Sequence, residues 1–128
     1  LTIATTGNAL DFGDLTAAGV LGSTGSSSST RGVYSGSGQA PYKHVEYFIF
    51  TTLGNATKFG DLTNTMGWAM GTGDRVRGVW GGGQSPASTN IIEYISMQTE
   101  GNGVDFGDLT TGGHLAGGAC SNGHGGLG

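Results

Sequence analysis

Apolar and polar residues alternate along the chain in short runs, and glycine or serine separates one run from the next. Residues 1–6 have the sequence Leu-Thr-Ile-Ala-Thr-Thr, an alternation typical of a half-buried strand. Gly7 and Asn8 predict a turn, because both residues tolerate positive φ, and residues 10–15 predict a second short strand. Since no window of helical length keeps an uninterrupted apolar period of 3.6 residues, the pattern predicts almost no helix.

The sequence Phe-Gly-Asp-Leu-Thr occurs three times, beginning at Phe12, Phe59 and Phe106, so that successive copies lie 47 residues apart. A Gly-Asn pair precedes each copy at the same distance. A constant period indicates one supersecondary unit used several times. We therefore expect one repeat domain over residues 1–128, with units at about 1–16 (partial), 17–63, 64–110 and 111–128 (partial). Three full units would need more residues than the chain has, so we expect a segment of a longer chain or part of an oligomeric ring.

Each unit predicts four short strands, and the predicted fold class is all-β. The first strand follows Phe-Gly-Asp-Leu-Thr, and the second has the sequence Arg-Gly-Val-aromatic, at Arg31 and again at Arg77. The third is an apolar-Glu-Tyr sequence that ends at Tyr47 and Tyr94, and the fourth lies in Phe-Gly-Asp-Leu. Residues 25–30 are almost all serine and predict a loop. The residues expected to have a structural role in the repeat are Phe12, Gly13, Asp14, Tyr47, Phe59, Gly60, Asp61, Gly81, Gly82, Tyr94, Phe106, Gly107 and Asp108.

The order of a glycine pair, a tyrosine and a further aromatic residue resembles the kelch repeat of β-propellers. In kelch units a Gly-Gly pair ends the second strand, a tyrosine lies in the third and a tryptophan in the fourth. Gly81 with Gly82, Tyr94 and Phe106 have those places, although phenylalanine replaces tryptophan and the acid that follows tyrosine in kelch is absent. The resemblance implies four-stranded propeller blades. A β-trefoil, which also has three units of roughly this length, is the alternative fold.

Two stretches resemble repeats of structural and tail-fibre-like proteins of phages, notably marine cyanophages. They are Gly-Asn-Ala-Leu-Asp-Phe-Gly-Asp-Leu-Thr at residues 7–16 and Cys-Ser-Asn-Gly-His-Gly-Gly-Leu-Gly at residues 120–128. This resemblance implies a non-enzymatic protein of the virion surface, extracellular, that serves structural assembly or host attachment. Its expected partners are other virion proteins, copies of itself or a host-surface glycan. A soluble glycan-binding module is the alternative, and a hydrolase or oxidase of propeller fold ranks third because no paired, unit-specific carboxylates stand out.

Composition excludes several classes of partner. Only 11% of the residues are charged, the formal net charge is −4, and the five cations form no basic patch, so we expect no nucleic-acid partner. No apolar run has the length needed to cross a membrane, so we expect no membrane insertion. The 28 glycines, about three times the usual share, alternate with apolar runs and indicate tight turns between short strands.

The recurring acids Asp14, Asp61 and Asp108 have two interpretations. They could be calcium ligands, helped by a second acid three residues earlier in two of the copies. Alternatively, they are turn residues whose side chains accept hydrogen bonds from nearby backbone N–H groups. Lys58 has the place of that second acid in the middle copy and would repel a metal ion, which favours the turn interpretation.

The tract with His114, Cys120 and His124 contains residue types that bind zinc. Its spacing matches no closed zinc site and a fourth ligand is lacking, so we predict no metal and no cofactor. No serine has the Gly-x-Ser-x-Gly context of a nucleophile on a strand-to-helix turn, and we predict no catalytic residue.

Residues that differ between units are the candidates to contact a partner. Trp68 follows the second Phe-Gly-Asp-Leu-Thr, where the first unit has small side chains. Tyr34 and Trp80 have the same place in successive units, with core packing as the favoured interpretation and binding as the alternative. Three charged residues of one predicted loop could hydrogen-bond a glycan or a protein. These residues are Asp74, Arg75 and Arg77.

Overall fold

The computed structural model describes residues 7–16, 22–35, 43–84 and 86–123. In this part of the chain it contains eight strands and no helix, which confirms the predicted all-β class. No helix that could span a membrane is found among the described residues. The predicted strand at residues 1–6 and the metal candidate His124 lie outside these ranges. The strands are β1 (Thr24–Ser27), β2 (Arg31–Ser35), β3 (His44–Ile49), β4 (Thr57–Asp61), β5 (Met70–Gly73), β6 (Arg77–Gly81), β7 (Ile91–Ser96) and β8 (Val104–Asp108).

The strands form two four-stranded antiparallel sheets in which each strand pairs with the next one along the chain. The first sheet has the order β1-β2-β3-β4 and the second β5-β6-β7-β8. Equivalent strands have equivalent registers: Val33 pairs with Tyr47 in the first sheet, and Val79 pairs with Tyr94 in the second. The register between the third and fourth strands shifts beside the glutamate in both sheets, and the extra residue is a phenylalanine of the fourth strand, Phe59 or Phe106. The repeat in the sequence is therefore a repeat of one four-stranded meander.

The first strand of each sheet lies against that of the other sheet, which explains its small side chains. A Cβ atom on Gly71 would come within 2.6 Å of the Thr24 hydroxyl, and one on Gly73 would collide with that of Ser26. The prediction of a loop at residues 25–30 was wrong for residues 25–27, which belong to β1, and is confirmed for residues 28–30, which connect β1 to β2. Serine and glycine disfavour strands because they have little side chain to pack, but here β1 and β5 approach too closely for larger residues.

Residues 10–15 form no regular strand, so this prediction was also wrong. Their backbone instead accepts two separate hydrogen bonds from the loop between β3 and β4, at the carbonyl oxygens of Phe12 and Asp14. The described residues provide no antiparallel ladder for this segment, and a strand needs one to satisfy successive N–H and C=O groups.

The apolar core lies between the two sheets. Val33, Val45 and Phe59 come from the first sheet, and Trp80 and Ile95 come from the second. The connection between the sheets and the end of β7 contribute the remaining members, which are Leu62, Met66, Ala69 and Met97. Burying one such side chain stabilises the fold by about 1.5–3 kcal/mol, so the core joins the two sheets into one body.

Three residues with left-handed backbone are stacked from one unit to the next. Gly22, Trp68 and Ala116 have φ values of 67°, 63° and 52°. The Trp68 N–H donates to the Gly22 carbonyl at 2.5 Å, and the Ala116 N–H donates to the Trp68 carbonyl at 2.9 Å. This ladder shows that residues following β8 begin a third unit in the same orientation as the first two.

Candidate functional site

The first two Phe-Gly-Asp-Leu-Thr sequences each contact the Gly-Asn turn of the next unit. In the first contact, Gly54 N–H donates to the Phe12 carbonyl at 2.9 Å and Ala56 N–H donates to the Asp14 carbonyl at 2.8 Å. In the second, the same two bonds recur 47 residues later, at 3.1 and 2.8 Å, from Gly101 to Phe59 and from Gly103 to Asp61. We call each such contact a joint. Its backbone bonds explain why both sequences recur with one period.

The asparagine of the turn adds a side-chain bond to each joint. Asn55 Oδ1 accepts from the Asp14 N–H at 3.0 Å, and Asn102 Oδ1 accepts from the Asp61 N–H at 3.1 Å. The acceptor lies 41 residues after its donor in both cases. The asparagine Oδ1 atom therefore fixes the position of the turn relative to the preceding unit. This role explains why each Gly-Asn pair contains asparagine.

A buried glutamate closes the joint beside the threonine. The Glu93 carboxylate accepts from the Thr63 N–H at 2.7 Å, from the Thr63 hydroxyl at 2.5 Å and from the Asn64 N–H at 3.1 Å. Glu46 likewise accepts from the N–H and the hydroxyl of Thr16. Both carboxylates are buried, and bonds to a charged acceptor are the stronger kind of hydrogen bond. These glutamates hold units together.

The glycine of the motif is required by the close approach of the next unit. A Cβ atom on Gly13 would collide with the Gly54 carbonyl oxygen, and one on Gly60 would collide with that of Gly101. The colliding atoms are backbone in both joints, so no side-chain rearrangement relieves them.

An arginine, a tyrosine and a phenylalanine stack on one face of each sheet. The Arg31 guanidinium lies 4.9 Å from the Tyr47 ring centroid, and the Tyr47 and Phe59 rings meet edge to face at 5.7 Å. Arg77, Tyr94 and Phe106 repeat this arrangement at 5.0 and 5.8 Å. Phe59 is 4% exposed because the second sheet covers it, whereas Phe106 is 56% exposed.

The uncovered copy belongs to what we call the open face, the side of the second sheet formed by Thr72, Arg77, Val79, Tyr94 and Phe106. A cleft of about 360 Å³ lies on this face between the Arg77 and Phe106 side chains and residues 120–122. It combines an aromatic ring, a guanidinium and several hydrogen-bonding groups, including the Asn122 side chain. The open face is the candidate functional site, since no Gly-Asn turn among the described residues binds its Phe-Gly-Asp-Leu-Thr sequence.

The segment 111–123 covers the inner edge of the open face. Gly117 lies so close to Met70 that an added Cβ would collide with the methionine side chain. Gly71 lies similarly close to the Thr24 side chain, so the contact between the first and second units recurs between the second unit and this segment. Its backbone also accepts a bond from the second sheet, since Gly83 N–H donates to the His114 carbonyl at 3.0 Å. The third unit thus begins on the second sheet, and its described residues leave the outer strands β7 and β8 uncovered.

The structure distributes the predicted binding residues over several places. Asp74 and Arg77 line the cleft of the open face, and Arg75 is exposed on the turn between them. Arg77 is the first residue of β6 and does not lie in the predicted loop. Trp68 precedes the start of β5, at the end of this strand that is remote from the cleft. It is 44% exposed, and its indole lies against Gly22. Tyr34 lies on the face of the first sheet that points away from the core, half-buried beside Phe48. Trp80 is fully buried in the core.

The turn contact expected of the recurring acids is made by the second acid three residues earlier, which is Asp11 in the first copy and Asp105 in the third. Asp11 and Asp105 accept from the N–H groups of Gly13 and Gly107 at 3.2 and 3.0 Å, as turn aspartates do. Asp61 instead contacts Lys58 Nζ at 2.9 Å and His44 Nδ1 at 2.6 Å. The hydrogen bond from Lys58, followed by that from His44, lowers the pKa of Asp61 below its usual value. In the described ranges no group of three metal-ligating side chains comes together.

A further contact between units joins Tyr47 to the loop after β7. The Tyr47 hydroxyl donates to Glu100 Oε1 at 2.8 Å. This hydrogen bond, with desolvation and the negative charge of Glu100, raises the pKa of Tyr47 above its ordinary value. The bond supplements the joint on its outer side.

Sequence reasoning missed the polar residues that form the joints. These residues are Glu46, Glu93, Asn55 and Asn102. Their signal was present, since Glu-Tyr and Gly-Asn recur at the same period as Phe-Gly-Asp-Leu-Thr. Sequences that recur together at a fixed distance indicate a contact between neighbouring units as readily as a contact within one.

No protein-family model matches the chain, and the search of curated proteins found no match.

Proposed function

We propose that this protein is a non-enzymatic structural or host-attachment repeat protein of a phage virion, built from kelch-like propeller blades. The observation that carries the proposal is the joint, which recurs with the same bonds in successive units. A protein that connects identical units through backbone and buried polar bonds is suited to rigid assembly. The likeness of residues 7–16 and 120–128 to phage repeats gives the proposal its biological setting.

The propeller interpretation is supported by the way the two sheets stack. Each full unit forms its own four-stranded meander, and the closest strands of the two sheets are β1 and β5, the first of each unit. Propeller blades have four strands and stack around an axis. A β-trefoil would combine strands of all units into one barrel, so a separate sheet for each unit favours the propeller over the trefoil.

A structural role also accounts for the acids that a hydrolase would need. Glu46 and Glu93 are buried and each accepts hydrogen bonds from a threonine of the preceding unit. A carboxylate used in this way is not available to transfer protons to a substrate. The same bonds in both units suit a repeated scaffold better than a single catalytic centre.

The direct test is immunogold labelling of phage particles whose genomes encode the Phe-Gly-Asp-Leu-Thr repeat. Antibodies raised against the 128-residue chain should label the particle surface or tail, while particles of a phage that lacks the repeat serve as the control. Absence of the protein from purified particles, checked by mass spectrometry, would refute a virion role.

A second candidate function, a glycan-binding module, is supported by the cleft of the open face. The exposed Phe106 ring could pack against the apolar side of a sugar, and Arg77 with Asn122 could bond its hydroxyls. On a glycan array, the Arg77→Ala variant should lose at least tenfold in affinity. The Arg75→Ala variant, changed at an exposed arginine outside the cleft, should bind as the unaltered chain does. A chain that binds no glycan would eliminate this candidate.

A further inference from the structure

Within the part of the chain that the structure describes, one Phe-Gly-Asp-Leu-Thr half and one Gly-Asn half of a joint have no matching half. Residues 106–110 are the third Phe-Gly-Asp-Leu-Thr half, and Phe106 is exposed on the open face. Gly7 and Asn8 are the first Gly-Asn half, and neither makes a hydrogen bond to another described residue. The matching pairs inside the chain show how such halves fit together.

We infer that the open face binds residues 7–16 of a second copy of this chain, which complete the outer edge of the unit begun by segment 111–123. The Asp108 N–H of one copy then donates to Asn8 Oδ1 of the next, as Asp61 N–H donates to Asn102. The resulting composite unit has its inner part from one copy and its outer part from the other.

The position of segment 111–123 supports a second copy as the occupant. This segment is stacked on the second sheet by the same ladder and the same glycine contact that place β5 on β1. It lies beside β5 in the place of the first strand of a third unit, although it forms no regular strand, and Phe106 remains more than half exposed. Residues 7–16 carry the turn and the Phe-Gly-Asp-Leu-Thr sequence of the outer part, neither of which segment 111–123 contains.

The second copy arrives with its own first joint already formed. Residues 12–16 of that copy are bound to Gly54, Ala56 and Glu46 of its first sheet. The composite unit therefore lies between the second sheet of one copy and the first sheet of the next, and repetition of this contact orders copies head to tail. Because residues 7–16 contain no glutamate, the contact lacks the bonds that Glu46 and Glu93 make, and we expect it to be reversible.

The test is native mass against concentration, by light scattering after gel filtration, for the 128-residue chain and three variants. Phe106→Asp places a charge where the joint buries an aromatic ring and should leave a monomer of 12.8 kDa at all concentrations. Asn8→Ala removes one acceptor from an exposed position and should weaken association about fivefold to tenfold. Val76→Ser removes an exposed apolar side chain from a turn outside the open face and should assemble as the unaltered chain does.

Assembly of the unaltered chain that both Phe106→Asp and Asn8→Ala weaken is the result we expect. A monomeric unaltered chain, or assembly that Asn8→Ala leaves unchanged, would overturn the inference. If Phe106→Asp fails to fold, the Asn8→Ala variant still tests whether assembly depends on the joint. The inference uses the stacked units of the proposed function, but its failure would leave the labelling of virions unaffected. A monomer that binds glycan at the Arg77 cleft would assign the open face to a sugar instead.

Discussion

The stack of Arg31, Tyr47 and Phe59 and the stack of Arg77, Tyr94 and Phe106 have the same residue types and almost the same geometry. The first is covered by the neighbouring sheet, and Phe59 belongs to the core. The second faces outward. Since the local sequences match, the neighbouring unit and not the sequence decides which aromatic residue is buried.

The same contrast applies to the leucines of the motif. Leu62 of the middle copy is 1% exposed, whereas Leu15 of the first copy is 41% exposed. The middle copy of Phe-Gly-Asp-Leu-Thr lies between the two complete four-stranded sheets, whereas the first copy has a complete described sheet on one side only. In repeat proteins stability is approximately a sum of unit and interface terms, so matched substitutions in covered and uncovered copies measure the interface term.

The largest difference is expected between Phe59→Ala and Phe106→Ala. Removing Phe59 leaves a cavity in the core and should lower the free energy of unfolding by about 3–5 kcal/mol. Removing the exposed Phe106 should cost about 1 kcal/mol or less. Urea unfolding of the two variants at low protein concentration measures both values, and equal losses would contradict the contrast.

Glu93→Ala should lower the free energy of unfolding by about 2–3 kcal/mol, because the Thr63 and Asn64 N–H groups lose a charged acceptor. Glu93→Gln is the matched control, since it keeps the shape and one acceptor oxygen and should recover part of the loss. Thermal unfolding followed by circular dichroism measures the series. If Glu93→Ala were as stable as the unaltered chain, the glutamate would not contribute to the stability of the joint.

Gly60→Ala and Gly101→Ala place a methyl group on opposite sides of one joint. The methyl group at position 60 collides with the Gly101 carbonyl, so we expect a loss of about 2 kcal/mol or more. The methyl group at position 101 meets nothing within 4 Å and should change stability by about 0.5 kcal/mol or less. Denaturant midpoints of the pair measure the difference, and a tolerated Gly60→Ala would show that the joint is looser than described.

The smallest effect is expected at the ion pair of the first sheet, which the second sheet lacks. Because the folded-state pKa of Asp61 is lowered, its contribution to stability is present above the usual carboxyl pKa and is lost as pH falls through the folded value. Lys58→Gln should therefore cost less than about 1 kcal/mol at neutral pH and nothing in strong acid. Unfolding free energies across the acid range check this, and a cost that persists in acid would exclude the ion pair as its cause.

Periodicity was enough to predict the all-β class and the places of the later strands in each unit. Arg77, Tyr94 and Phe106 lie in the second, third and fourth strands as their order in the repeat indicated. Residues 25–27 and 10–15 were assigned wrongly because their conformation depends on a neighbouring unit. Propensity describes one strand at a time and does not include close approach to another sheet.

The candidate site was predicted only in part, for a related reason. Asp74 and Arg77 were chosen from one loop, and the structure places both at the cleft. The Glu93 and Asn102 side chains were missed because the residues they contact lie 30 and 41 positions away. Contacts over such distances along the chain can be predicted from a repeat only if one recurring sequence is assumed to contact another.

Amide hydrogen exchange of the Gly-Asn turns tests the joint most directly. Gly54 and Gly101 lie in exposed loops, yet their N–H groups donate to the carbonyls of Phe12 and Phe59. We predict that both amides are protected in the unaltered chain, and that Gly101 loses protection in Glu93→Ala while Gly54 keeps it. Exchange of both amides at the rate of an unprotected loop would contradict the account, because Phe-Gly-Asp-Leu-Thr would then not be the element that binds one unit to the next.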